Sequence, residues 1–300
     1  MVSTEIIERM AKELSLPAEK VIKAVELLNA GSTIPFIARY RKDATGQLDE
    51  VQLESISELN QFYIAMHQRR ESILDTITKQ EKLTPELEQA IRTCWDKNRL
   101  EDLYLPFKKQ RRSKATVARE KGLEALADFI WHQVEGEKAI EEFAATFIDP
   151  TKEVATVEEA LDGARCILAE QVSLDAQART LVRDCMEEHC LLAAHSTKLS
   201  EGKKTKFSVY YAFKEPLKKL PSHRLLAVLR GVKEGMLRME VVLDDEELIK
   251  KLAAVYIKEV GSVYAPYIVA AVEDSYKRLV RPSIENEVVG EARKHADDHA

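Results

Sequence analysis

Between Asp49 and Pro85 the chain carries neither proline nor glycine, and its apolar residues return at helical spacing: Val51, Ile56, Leu59, Tyr63, Met66, Ile73 and Ile77. Asp49 precedes this stretch with Gln52 placed to reach back as in a capping box, so one helix of about 30 residues is expected, long for a globular protein. Such a helix acts as a spine. Three more starts of the same kind follow: Thr84 before Pro85, Asn98 with Glu101 three places on, and Thr156 with Glu159. The pattern predicts a mainly α, multi-helical fold with well over half of the residues helical.

One segment reads as a strand. In GMLRMEVVLDDEEL, Leu237, Met239 and Val241 alternate with Arg238 and Glu240, and Asp244 with Glu247 then caps another helix. The stretch KTKFSVYYAFKEP is ambiguous between strand and short helix; the spacing of Phe207, Tyr210 and Tyr211 favours helix and a place in the core. A minor β element is the most that is expected. Composition shifts near Asp149-Pro150 and Glu201-Gly202 suggest joints, without a Pro- or Ser-rich linker and without an internal repeat. We read residues 1–200 as a helical domain with helix-turn-helix-like units and residues 201–300 as a helical continuation. The final RPSIENEVVGEARKHADDHA begins a helix at Pro282 and stops in a polar stretch, as in a chain cut within a helix or in a frayed natural terminus.

Charge narrows the function. The 45 basic and 51 acidic residues leave a net charge of −6, so any surface for a polyanion must be local. The segment IPFIARYRK, Ile34 to Lys42, places Arg39, Arg41 and Lys42 after an apolar run, and Pro35 suggests a connector with those charges on a loop. In FKKQRRSKATVAREKG, Lys108, Lys109, Arg111, Arg112, Lys114, Arg119 and Lys121 stand against the single acid Glu120. This is the strongest polyanion signal; a helix starting near Ser113 would add backbone N–H groups, although a solvated face or a docking surface for an acidic domain fits equally. A third basic stretch runs from Lys198 to Lys219.

IIERMAKELSLPAEKVIKAVELL has the shape of a helix-turn-helix, with Ala11 at the crossing and Ser15 where glycine is usual. Its second helix offers Glu19 and Glu26 beside Lys20 and Lys23, a poor balance for phosphate, and an ordinary helical hairpin is the favoured reading. In CMEEHCLLAAH only Cys185 and His189 share a helical face, so no metal centre and no cofactor are expected. Phosphate loops, nucleophile elbows and dinucleotide fingerprints are missing, Gly231 and Gly235 read as a turn, and no catalytic residue is assigned. Four cysteines (Cys94, Cys166, Cys185, Cys190) make no disulfide framework, the opening MVSTEIIERM has no apolar signal core, and no apolar run nears the ~18 residues of a membrane helix. The expected setting is the cytoplasm, away from a membrane.

Three longer stretches, IPFIARYRKDATGQLDE, NRLEDLYLPFKKQRRSKATVAREKGLEALA and PSHRLLAVLRGVKEGMLR, resemble the amino-terminal part of the Tex family of bacterial transcription accessory proteins, and the resemblance covers the chain from end to end. Asp43-Ala44 and Phe107 depart mildly from the usual pattern. The resemblance implies further domains beyond this segment, among them an RNase H-like domain, helix-hairpin-helix units and an RNA-binding OB-fold domain. It also implies a role in transcription or RNA metabolism, with DNA or RNA, and the transcription machinery, as partners. Together these readings give a non-catalytic nucleic-acid-binding region with Arg39, Arg41, Lys42, Lys108, Lys109, Arg111, Arg112 and Lys114 as contacts. The alternative is a scaffold that docks further domains of the same protein or a protein partner, with no nucleic acid contact.

Overall fold

The computed structural model describes residues 4–133 and 139–298. About 70% of the chain is helical, in line with the periodicity, and the chain packs as two units that divide after Tyr104. The joint expected near residue 200 lies inside the second unit.

The first unit is all helix: α1 (Thr4–Glu13), α2 (Ala18–Asn29), α3 (Ile34–Tyr40), α4 (Lys42–Thr45), α5 (Glu50–Lys79), α6 (Pro85–Thr93) and α7 (Lys97–Tyr104). The spine is unbroken through α5, and Asp49 and Gln52 form the reciprocal capping box, Gln52 N donating to Asp49 Oδ1 at 2.7 Å. Leu53, Ile56 and Tyr63 of α5 close a core with Met10, Val21 and Ile37. Ser15 turns the chain between α1 and α2 with φ of 53°, a left-handed conformation usually left to glycine.

Two expectations are corrected here. IPFIARY is a helix, not a connector: Pro35 sits in the first turn, where its missing N–H would have had no helical acceptor anyway, and Ile37 and Ala38 anchor the helix in the core. The cap of α7 is Asp96 rather than Asn98; its Oδ1 accepts from Asn98 N at 2.8 Å and Arg99 N at 2.9 Å.

The second unit contains α8 (Lys114–Glu120), α9 (Glu124–His132), α10 (Ile140–Ala145), α11 (Val157–Leu174), α12 (Ala176–His189), β1 (Leu191–Ser196), β2 (Ala212–Pro216), α13 (Ser222–Lys233), β3 (Leu237–Val242), α14 (Asp245–Tyr256), α15 (Ala265–Ser275) and α16 (Arg281–Asp298). Helix α11 lies at its centre, against α8, α9 and α15. The strands form one antiparallel sheet in the order β2-β1-β3, with Leu192 opposite Val241 and Ala194 opposite Phe213. Leu192, Ala194, Phe213, Leu237 and Val241 face the core, and α13 packs against β3.

The strand over Leu237–Val242 is where alternation placed it. β1 is a correction, since CMEEHCLLAAH reads as one helix and contains no breaker. The chain leaves the helix at Cys190, because the next six residues gain a hydrogen-bonded neighbour on both sides, which outweighs one more helical turn. KTKFSVYYAFKEP holds a short 3-10 turn at Ser208–Tyr210 and then β2, against the lean towards helix; Phe207 and Phe213 are buried as core residues. Gly231 is inside α13, buried, and only Gly235, with φ of 72°, makes the turn. α16 starts at Arg281, so Pro282 lies in its first turn, but the helix does not start afresh there. The helical path runs from α15 into α16 through a π-turn at Tyr276–Val280, whose wider ring relieves the clash and missing bond that a proline brings to a helix interior.

Candidate nucleic-acid interface

α3 and α4 carry the first group of expected contacts. With Ile37 and Ala38 turned to the core, the opposite face of α3 shows Phe36, Arg39 and Tyr40 to solvent. Phe36 and Tyr40 are four residues apart, their ring centres 5.5 Å apart and tilted, and the Arg41 guanidinium lies 5.9 Å from the Phe36 ring. Gly46 ends α4 in the left-handed region with φ of 66°, and a Cβ there would come within 2.9 Å of Lys20 Cε, so the glycine lets the Lys20 stem lie across this turn. The one carboxylate of α4, Asp43, accepts from Gln47 Nε2 at 2.9 Å. Arg39, Arg41 and Lys42 are all exposed and make no ion pair among the described residues.

The second group lies on the segment from Lys108 to Lys121, and here the charges divide. Lys109 and Arg111 are exposed and make no ion pair among the described residues; Lys114 at the start of α8 is exposed too but helps to lower the Asp274 pKa, while Lys108 is half-buried. Arg112 pairs with Glu120 at 2.9 Å, Arg119 with Glu170 at 2.5 Å, and Lys121 with Glu153 at 3.4 Å. The start of α8 is occupied as well. Ser113 Oγ accepts from Thr116 N at 3.1 Å and donates to Glu170 Oε1 at 2.7 Å, so a carboxylate of α11 already holds the place expected for a phosphate. The segment therefore presents fewer open cations than its composition suggests.

The remaining candidates carry less. Lys23 of α2 pairs with Glu26 at 2.9 Å, and the cavity of about 590 Å³ between α1 and α2 is lined by Glu8, Glu26, Ile7 and Ile22, a surface unsuited to phosphate. Lys206 pairs with Glu234 at 2.8 Å and lies over the buried Phe207. His195 Nε2 lies 3.0 Å from Glu240 Oε1 across β1 and β3, and burial pushes the Cys190 thiol up to about 11. Among the described residues no three His, Cys, Asp or Glu side chains gather as a metal set, and no helix is long and apolar enough to cross a membrane. All four cysteines are free.

The sequence reading passed over Phe36 and weighed Lys20 only as part of the second hairpin helix. The signal for Phe36 was there, an aromatic pair at i and i+4, but it counts only once IPFIARY is recognised as a helix.

Residues 4–78 match the family model for a Tex-like protein N-terminal domain, and residues 135–300 match the model for a Tex central region-like segment. An uncharacterized protein of Bacillus subtilis, YdcI, is 37% identical over 98% of this chain and 41% of its own length. The transcriptional accessory protein Tex of Neisseria gonorrhoeae is 41% identical over 77% of this chain and 30% of its own. The human S1 RNA-binding domain-containing protein 1 is 28% identical over 74% of this chain and 22% of its own. The chain thus spans well under half the length of these relatives.

Proposed function

Because this chain belongs to the Tex-like family, we propose that it is a non-catalytic, nucleic-acid-binding region of a transcription accessory protein, at work in the cytoplasm beside the transcription machinery. One observation carries the reading. In a chain with more acidic than basic residues, where cations such as Arg69, Arg92, Arg119, Arg183 and Arg281 are paired with carboxylates, Arg39, Arg41, Lys42, Lys109 and Arg111 stand exposed with no ion pair among the described residues, and Lys114 stands exposed with Asp274 as a neighbour outside ion-pair distance. Exposed cations kept clear of carboxylates cost the fold little and are what a polyphosphate backbone needs. The names of the longer relatives, one a transcriptional accessory protein and another an S1 RNA-binding domain protein, support the same direction.

A hydrolytic role is disfavoured by how the acids are used. Asp49, Asp96, Asp175 and Asp244 cap helices, and Glu101, Glu170, Asp245 and Glu287 hold arginines.

The test is a salt titration of binding to labelled DNA and RNA. Changing Arg39, Arg41 and Lys42 to glutamine, and separately Lys109, Arg111 and Lys114, should each weaken binding alike for every probe sequence and flatten the slope of log K against log salt by up to about three units. If both triple variants bind as the parent does, the cations face further domains of the longer protein or a protein partner, and the scaffold reading replaces this one.

A further inference from the structure

We propose that α3 and α4 form a seat for one unpaired nucleobase, stacked on Tyr40, in a single-stranded nucleic acid whose phosphates meet Arg39, Arg41 and Lys42. The proposal rests on the polyanion reading above and adds a contact with the base itself. Tyr40 is 71% exposed, the most exposed aromatic side chain among the described residues, and Phe36 beside it is 41% exposed. Core packing accounts for neither ring, since α3 is anchored through Ile37 and Ala38 on its other face. Phe36 instead buttresses the site. It touches Tyr40 along one side and lies near the Arg41 guanidinium, which leaves most of the Tyr40 ring open to a flat partner.

Charge selects the partner. Arg39 and Arg41 flank Tyr40 in the chain, Lys42 follows, and the only nearby carboxylate on α4, Asp43, is bonded to the Gln47 amide. An open aromatic ring among unpaired cations matches a strand that presents π-faces and phosphates together, which is how sequence-tolerant single-strand binders work. A duplex hides its base faces within its own stack, so it can use the cations but not the ring. The base face is common to DNA and RNA, and the probes must tell the two apart.

The experiment compares the whole chain with Tyr40→Ala, Tyr40→Phe and the Arg39→Gln/Arg41→Gln/Lys42→Gln variant. The probes are labelled oligo-dT, oligo-U, an abasic deoxyribose-phosphate strand of the same length, and a duplex. Stacking on one base predicts that Tyr40→Ala weakens oligo-dT, oligo-U or both by about tenfold or more, while the abasic strand, the duplex and the salt slope stay as they were and Tyr40→Phe binds as the parent. Equal losses assign the seat to either strand type; a loss on one alone assigns it to that one. Tyr40→Ala without effect on both base-bearing strands, or with an equal loss on the abasic strand, overturns the stacking seat. The triple glutamine variant then decides the reading beneath it: weaker binding to the abasic strand preserves phosphate contact. Unchanged binding of every probe by that variant, or no binding by the parent chain, sinks both. Tyr40 is a surface side chain, so circular dichroism of Tyr40→Ala should match the parent, and that spectrum guards against misfolding as the cause.

Discussion

The guanidinium of Arg70 lies 4.0 Å from the centre of the Trp95 ring. Arg70 is 6% exposed, and desolvation lowers its pKa from the ordinary arginine value, so the charge needs compensation inside the unit. It receives the Trp95 π-face and the Arg92 carbonyl, to which Nη1 donates. Trp95 also lies 4.5 Å from the Arg9 guanidinium and meets Tyr63 edge-on, so one ring ties α1 to the middle of α5. Trp95→Ala should lower stability by about 3 kcal/mol, read as a shifted urea midpoint. A loss below about 1 kcal/mol would show that the ring is dispensable to the first unit.

The spine makes a second test direct. Met66 is 4% exposed and lies in the middle of α5, with its N–H inside an unbroken ladder. Met66→Pro removes that donor and drives the ring into the carbonyl of Phe62, at a cost of at least ~3 kcal/mol. An unaltered thermal midpoint would mean that the helix is already interrupted there.

These two sites also show how far the residues themselves carry the fold. The caps at Asp49, Thr84, Thr156, Ser113 and Asp244 were legible because donor and acceptor lie three positions apart. β1 was not, because the chain leaves α12 for partners 17 or more positions further along, and nothing local marks the exit. The site divides in the same way. That Lys109, Arg111, Arg112 and Arg119 crowd one stretch is plain from the residues, whereas the partner that removes Arg119, Glu170, is 51 positions away. Tyr40 as an open surface ring becomes visible only when the helical face of α3 is known.

Asp274 and Arg278 give a pH test. Arg278 donates twice, Nε to Oδ1 at 3.0 Å and Nη2 to Oδ2 at 2.6 Å, and this bonding holds the Asp274 carboxyl below its ordinary range despite the opposing effect of burial. A carboxyl depressed in the folded state adds stability that is present above its unfolded value of about 3.9 and is lost as pH falls through the folded value. Asp274→Asn should therefore be less stable than the parent at neutral pH, by no more than about 1 kcal/mol because the pair is partly exposed. Urea midpoints of the two proteins should converge as pH drops below the carboxylate range, and a gap that widens on acidification would contradict the assignment.

At Gly231 the backbone of α13 comes close to Leu237 of β3. A Cβ there would lie 2.5 Å from Leu237 Cδ1, 2.8 Å from Leu237 Cγ and 3.2 Å from Phe207 Cδ1, and both neighbours are buried with little room to move. Alanine normally favours a helix by up to about 1 kcal/mol over glycine. Here overpacking should reverse the sign, so Gly231→Ala is expected to lower stability by about 1–2 kcal/mol. A rise in the melting temperature would show that Leu237 can swing clear.

The paired and unpaired cations of the Lys108 to Lys121 segment allow a comparison at constant charge. Lys109→Gln with Arg111→Gln removes two cations that touch no carboxylate, and Arg112→Gln with Arg119→Gln removes two that do. If nucleic acid meets the unpaired ones, the first double variant should flatten the salt slope by about two units and leave stability within about 0.5 kcal/mol. The second should do the opposite. Glu170 is 13% exposed and would lose its arginine, which predicts a cost of about 1–3 kcal/mol with little change in slope, since a cation already neutralised by a carboxylate releases fewer counterions from a phosphate. Equal slopes for the two variants would mean that the strand responds to the net charge of the unit and makes no defined contact with Lys109 or Arg111.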